Sequence, residues 1–191
     1  MTIDNYYSQV EKFIIDACKK SDYEELINHF RRTTYWIKKL KPSADDALLI
    51  AGLSHDIERI FRKKQSTNKN KTPKKFTDYK KLKYHQEKSA EIIAEFLERQ
   101  KAPRKLIDRV KVLVSRHEWG GNEDQNLLRD ADSVSFLENN IGFFVTGMVV
   151  QRGKDQVRKK FDWMFKRITL PEAKKIAKPM YEKATKLLES S

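Results

Sequence analysis

Apolar residues recur at three- and four-residue spacing along almost the whole chain, and only 6 glycines and 5 prolines interrupt 191 residues. That period matches the roughly 3.6-residue turn of a helix rather than the alternation of a strand, so it predicts an all-α fold, a helical bundle. A first helix is expected over about Asn5 to Lys19. Ser21, with Glu24 three residues on, has the capping-box pattern of a second helix start. The stripe of that helix carries Leu26, His29, Thr33, Trp36, Ile37 and Leu40. Pro42-Ser43 is expected to open a third, running through Leu48, Ala51, Gly52 and His55. A fourth is expected from about Leu82 to Arg99, with His85, Ser89, Ile92 and Phe96 on one face. Pro103 suits the first turn of a fifth, where its missing N–H costs nothing. That helix would align Val110, Leu113, Val114 and His117 and end at Gly120-Gly121. A short helix from Leu128 to Glu138 and two or three more fill the C-terminal third.

The length suits a single domain, residues 1–191, with C-terminal helices from about 139. An apolar fraction of 39% supports a core, and a charged fraction of 35% implies salt-bridged, solvated outer faces. The lone Cys18 excludes a disulfide framework within the chain, fits a reducing compartment and reads as a small buried hydrophobe. No apolar run approaches the roughly 18 residues of a membrane span. Residues Met1 to Asn5 lack the basic and apolar regions of a signal peptide. The cytoplasm is therefore the expected compartment, with no membrane partner. The net charge of +13 is uneven: residues 62–83 hold ten Lys or Arg against Asp78 alone. With Ser66, Asn68 and Pro73 inside it, this segment reads as a long basic loop. It is either a solvated insertion or an electropositive lip for a phosphate-bearing substrate or nucleic acid.

The four histidines, His29, His55, His85 and His117, each fall on the apolar stripe of a predicted helix. Stripes in a bundle converge on one core, and buried imidazoles need partners there. One such histidine is ordinarily a hydrogen-bonded core residue. All four, with the doublet His55-Asp56 and the acidic cluster Asp130-Ala131-Asp132, point instead to a shared divalent metal, because imidazole and carboxylate are its ligand types.

The ordered set His29, then His55-Asp56 after the apolar run Leu48 to Leu53, then Asp132 within Asp130-Ala131-Asp132-Ser133-Val134, resembles the HD superfamily of metal-dependent phosphohydrolases. The resemblance covers roughly Leu26 to Glu138. The stretches His55 to Arg59, His117-Glu118-Trp119-Gly120-Gly121 and Asp130 to Glu138 look like a subfamily of that group without an assigned reaction. The resemblance implies an all-α HD-type domain that hydrolyses a nucleotide or other small phosphate ester. It implies one or two divalent ions (Mn, Mg, Co, Ni, Zn or Fe). One would take His29, His55, Asp56 and Asp132; a second would take His85 and His117, with Asp56 bridging. With a single metal, His85 and His117 would bind substrate phosphate. Asp130 is the alternative to Asp132, its other reading being a helix N-cap. The nucleotidase-type pattern places a glutamate three positions after the doublet; here Glu58 lies two after Asp56, so that activity does not carry over.

Arg59, Lys88, Arg116 and Arg167 are candidate phosphate binders, Arg59 the best placed at one turn after His55; each can equally solvate a surface. Asp56, Glu58, Arg59 and Glu118 are the candidate catalytic groups. Glu58 and Glu118 would be proton shuttles or orienters of neighbouring histidines. Trp36, Trp119 and Trp163 read as core or rim packing, with base stacking open for Trp119. Phe161 to Arg167 reads as a buried amphipathic helix. Two other functions fit the same residues: a di-iron oxygenase, since two-metal HD sites are also used that way, and a nucleic-acid-binding module using the basic loop.

Overall fold

The computed structural model describes residues 4–21, 23–62 and 75–191. In order these form α1 Asp4–Ser21, α2 Glu25–Leu40, α3 Asp46–Ser54, the single turn α4 Glu58–Phe61, α5 Tyr79–Arg99, α6 Arg104–Val114 and α7 Glu123–Asn139. Then come α8 Ile141–Phe143, a π-helical turn Phe144–Met148, α9 Val149–Arg152, α10 Lys154–Lys166 and α11 Pro171–Ser190. No strand occurs among the described residues, so the fold is all-α. Most of the basic loop expected over 62–83 lies outside the described residues, and its C-terminal part, from Tyr79, is the first turn of α5.

Two helices are buried almost all round. In α3, residues 47–54 are buried except Leu49, and in α7 every residue from Leu127 to Leu137 is buried. Helices without a polar face belong at the centre of a bundle. The first half of α7 (Leu127, Leu128, Ala131) joins the core built by α1, α2, α3, α5 and α6. Its second half (Val134, Phe136, Leu137) joins a second apolar cluster with α10 and α11. Asp132 sits where the two meet. α2 packs on both α3 and α7. The two helices α2 and α3 approach closely at Gly52, where a Cβ would stand 2.5 Å from Ile37 Cδ1. This close approach brings His29 and His55 within reach of each other.

Several boundaries differ from expectation. Ser21 is the last residue of α1 rather than a cap, and α2 starts after Glu24 with no side-chain cap, because the Tyr23 N–H bonds Cys18 O at 3.0 Å and turns the chain there. Asp45, not Pro42-Ser43, opens α3; its carboxylate accepts from the Leu48 N–H at 3.0 Å. α7 begins five residues before the expected Leu128, because Asn122 and Gln125 form a capping box. Cys18 is buried and burial pushes its thiol up to about 11, as befits a packing residue. Among the described residues no single helix is long and apolar enough to cross a membrane.

Candidate metal centre

His55 and His117 do not lie inside helices. Each falls in the turn just past one, α3 ending at Ser54 and α6 at Val114. The last carbonyls of a helix have no intrahelical N–H. Each imidazole uses one: His55 Nδ1–H donates to Gly52 O at 2.9 Å and His117 Nδ1–H to Val114 O at 2.8 Å. A carbonyl can only accept, so both rings are fixed with Nε2 turned inward.

The other two rings are fixed by side chains. His85 Nδ1 lies 2.7 Å from Glu58 Oε2. His29 Nδ1 lies 2.9 Å from Ser135 Oγ, whose own hydrogen goes to His29 O at 2.9 Å, so the ring nitrogen is the donor there too. All four histidines thus present Nε2 to one buried volume. Their rings form a chain, with centroids 5.2 Å apart for His29 and His55, 5.2 Å for His55 and His117, and 5.3 Å for His117 and His85.

Two groups of three donors emerge, each with its donor atoms within 4.8 Å of one another: His29, His55 and Asp132, and Asp56, His85 and His117. Asp132 Oδ1 is 3.2 Å from His29 Nε2 and 3.4 Å from His55 Nε2. Asp56 Oδ1 is 2.6 Å from His85 Nε2 and 3.5 Å from His117 Nε2. Nε2 of His55 and of His117 are fully buried without a hydrogen-bond partner. Orphaned buried nitrogens are rare and costly unless something else uses them. Three N/O donors per group fit a divalent ion, whose remaining coordination positions they leave to other ligands. These buried His/Asp groups can therefore hold metal, and Asp132, not Asp130, is the aspartate they use.

Asp130 does something different. It is buried one helical step away, where Oδ1 takes Arg129 at 2.8 Å and Oδ2 accepts the N–H groups of Thr169 and Leu170 at 2.9 and 2.7 Å. It is not a helix N-cap, since it lies inside α7; it fastens α7 to the turn before α11. Asp56 groups with His85 and His117, and its second oxygen accepts from Arg59 Nε.

Cations back both acids. Arg167 donates to Asp132 Oδ2, to Glu118 Oε2 at 2.7 Å and to Ser133 Oγ at 2.7 Å. Burial opposes ionisation of Asp56, yet Arg59, His85 and His55 hold its carboxyl well below the usual range. Burial likewise opposes ionisation of Asp132, which Arg167 and His55 overcome, and of Glu118, overcome by Arg167 and His117. Glu58 is brought to about 2 despite burial by its bonds from His85 and Arg62. Burial disfavours the imidazolium of His55, but Asp56 and Asp132 raise it; His85 is raised by Asp56 and Glu58 against burial and Arg59. Burial pushes His117 down.

Of the expected residues, Glu58, Arg59, Glu118 and Arg167 converge here with the six candidate metal donors. Lys88 is half-exposed and pairs with Glu91 at 2.7 Å, and Arg116 is exposed in the turn before His117, so neither is among the groups that meet. Trp119 stacks on Tyr79 at 4.9 Å rather than facing an open site. Trp36 bonds Glu138 at 2.9 Å. Three participants escaped the sequence reading: Ser135, which fixes His29; Arg129, which ties Trp119 O to Asp130; and Lys160, a buried lysine beside Arg167.

A family model described as a domain of unknown function (DUF4202) matches residues 10–185 of the chain. No curated protein and no solved structure matches it.

Proposed function

The chain belongs to the DUF4202 family, whose description assigns no reaction, and from the site itself we propose a divalent-metal-dependent phosphohydrolase of the HD type. Its substrate is a nucleotide or another small phosphate ester. The observation that carries this reading is the pair of orphaned nitrogens, His55 Nε2 and His117 Nε2, one in each of two adjacent His/Asp groups. His29, His55 and Asp132 would hold one ion, and Asp56, His85 and His117 a second. Mn, Fe, Co, Ni and Zn suit this donor set best, Mg least. A bound divalent ion supplies a water of near-neutral pKa and a Lewis acid for the phosphoryl oxygens.

The chain's own groups supply the rest. Arg59 and Arg167, each anchored on a metal-binding aspartate, present guanidinium charge at the edge of the centre, where negative charge on a phosphoryl group would build up. Glu118 is ionised and uses Oε2 for Arg167, while Oε1 lies 3.8 Å from His117 Nε2. That oxygen is the proton acceptor in this reading. Glu58 is a positioning residue: its bond to His85 Nδ1 fixes the ring and raises the basicity of Nε2.

Elemental analysis of purified protein, followed by a phosphate-ester screen with Mn, Mg, Co, Ni and Zn, tests the proposal. One to two metals per chain and turnover that vanishes in folded His55→Ala are expected. Metal without turnover on any ester, together with the visible absorption of a coupled ferric pair, would move the reading to a di-iron oxygenase. Steeply salt-dependent nucleic-acid binding that survives His55→Ala would favour a binding module.

A further inference from the structure

Lys160, on the buried face of α10, makes no ion-pair contact with an acid among the described residues; Glu118 and Asp132 act on it only from longer range. It is 8% exposed, and among the described residues its ammonium contacts are ring faces, Trp163 at 4.5 Å and Phe136 at 5.2 Å. The two neighbouring guanidiniums differ, since Arg59 is bonded to Asp56 and Arg167 to Asp132 and Glu118. A buried ammonium with no acid in direct contact is costly, which suits Lys160 to receive an anion.

The surroundings say where that anion would sit. Lys160 lines a cleft of about 630 Å³ with Phe76, Lys159, Trp163, Lys166 and Arg167. The acid on this lining, Asp162, is already taken by Arg158 at 3.0 Å and the Tyr181 hydroxyl at 2.6 Å. The cleft is therefore strongly electropositive, and Arg167 belongs to both it and the metal centre. The Arg167 guanidinium lies 4.3 Å over the same Trp163 ring that Lys160 covers, while its nitrogens reach Glu118 and Asp132. A ligand with one anion at the metal centre can extend past Arg167 and place another on Lys160.

We propose that this cleft takes a second phosphate group of the substrate, anchored by Lys160, so that compounds carrying two phosphates are preferred over those carrying one. The proposal rests on the phosphohydrolase reading and narrows its substrate class. A charge-assisted bond from an otherwise unpaired, largely buried ammonium is strong, and Lys159 and Lys166 at the rim raise the local anion concentration.

The test is calorimetric binding of inorganic pyrophosphate and inorganic orthophosphate to the metal-loaded protein, as wild type and as Lys160→Met, which keeps the apolar stem on both rings. Both proteins carry the same metal, so chelation cancels between them. Wild type is expected to bind pyrophosphate about tenfold more tightly than orthophosphate, from one added charge-assisted contact. In Lys160→Met that ratio is expected to fall below about twofold, with orthophosphate affinity little changed. Because the substitution removes a buried charge that has no ion-pair contact, Tm without ligand is expected to hold or rise. A wild type without the preference, a variant that keeps it, or a variant whose Tm falls would each overturn the proposal. If no ester is turned over but the Lys160-dependent preference persists, the hydrolase reading fails and the cleft stands. If monoesters are hydrolysed and pyrophosphate has no advantage, the cleft fails alone.

Discussion

His29, His55 and Asp132 are carried by α2, the turn after α3 and α7, the central elements of the bundle. Asp56, His85 and His117 are carried by the turn before α4, by α5 and by the turn after α6. In the first group the histidines lean on neutral oxygens, the Ser135 hydroxyl and the Gly52 carbonyl. In the second, His117 leans on a carbonyl but His85 leans on the Glu58 carboxylate. The backing cations differ too: the Arg167 side chain is 7% exposed, whereas that of Arg59 is 36% exposed. In one case both imidazoles are thus held by neutral oxygens and the backing cation is buried; in the other a charged outer shell, Glu58 and the more exposed Arg59, lies nearer to solvent. The first group should be the more persistent site and the second the more tunable one.

The largest effects should come from removing donors. His55→Ala and Asp56→Ala each take turnover below detection while the far-ultraviolet dichroism stays helical; full activity in either variant breaks the metal-centre account. Next comes Asp130→Ala, which sharpens the contrast between a ligand and a fastener. It strands Arg129 and two backbone N–H groups and should cost about 3–5 kcal/mol in denaturant unfolding, as breaking a buried pair does. Metal content at low temperature should stay at the wild-type value. Glu58→Gln isolates the charged outer shell: the second metal should weaken about 10- to 100-fold by equilibrium dialysis while the first is unmoved. Equal weakening of both would erase the distinction drawn between the groups.

A smaller effect concerns pH. His55 and His85 are raised above the ordinary histidine value of 6.5 in the metal-free fold. Their contribution is complete below 6.5 and is lost as pH rises through their folded values. His117 is lowered, so its contribution grows as pH climbs toward 6.5. The histidine contribution to metal-free stability should therefore peak near pH 6.5 and decline toward pH 8 in thermal melts. Metal binding, which requires the neutral rings, should strengthen over that same range and oppose the decline. A metal-free Tm that rises from pH 6.5 to 8 contradicts the assignment of His55 and His85. Smallest of all, Lys88→Ala and Arg116→Ala should change turnover by less than about twofold, because both side chains face solvent.

The helical period and the apolar stripes were enough to foresee the bundle, since burying a stripe is a demand that local sequence states openly. The same stripes picked out the four histidines, while Asp132 was singled out by the resemblance of the ordered His, His-Asp, Asp set. What stayed hidden was long-range or depended on helix ends. Ser135 fixes His29 from 106 residues away, and no spacing announces that pairing. Gly52 and Val114 hold His55 and His117 only because α3 and α6 stop early enough to free their carbonyls. Asp130 looked like a cap because aspartate favours caps; its partners, the Thr169 and Leu170 amides, arrive from the other end of the chain. Lys160 is one of 40 basic residues, and only the packing of Trp163 and Phe136 around it sets it apart.

Anomalous diffraction at the absorption edge of the metal found by elemental analysis tests the central claim most directly. The account predicts a peak bounded by His29, His55 and Asp132, the stronger where two are present, and a second bounded by Asp56, His85 and His117. Crystals of metal-supplemented protein with neither peak, or with metal only at surface residues, would contradict it.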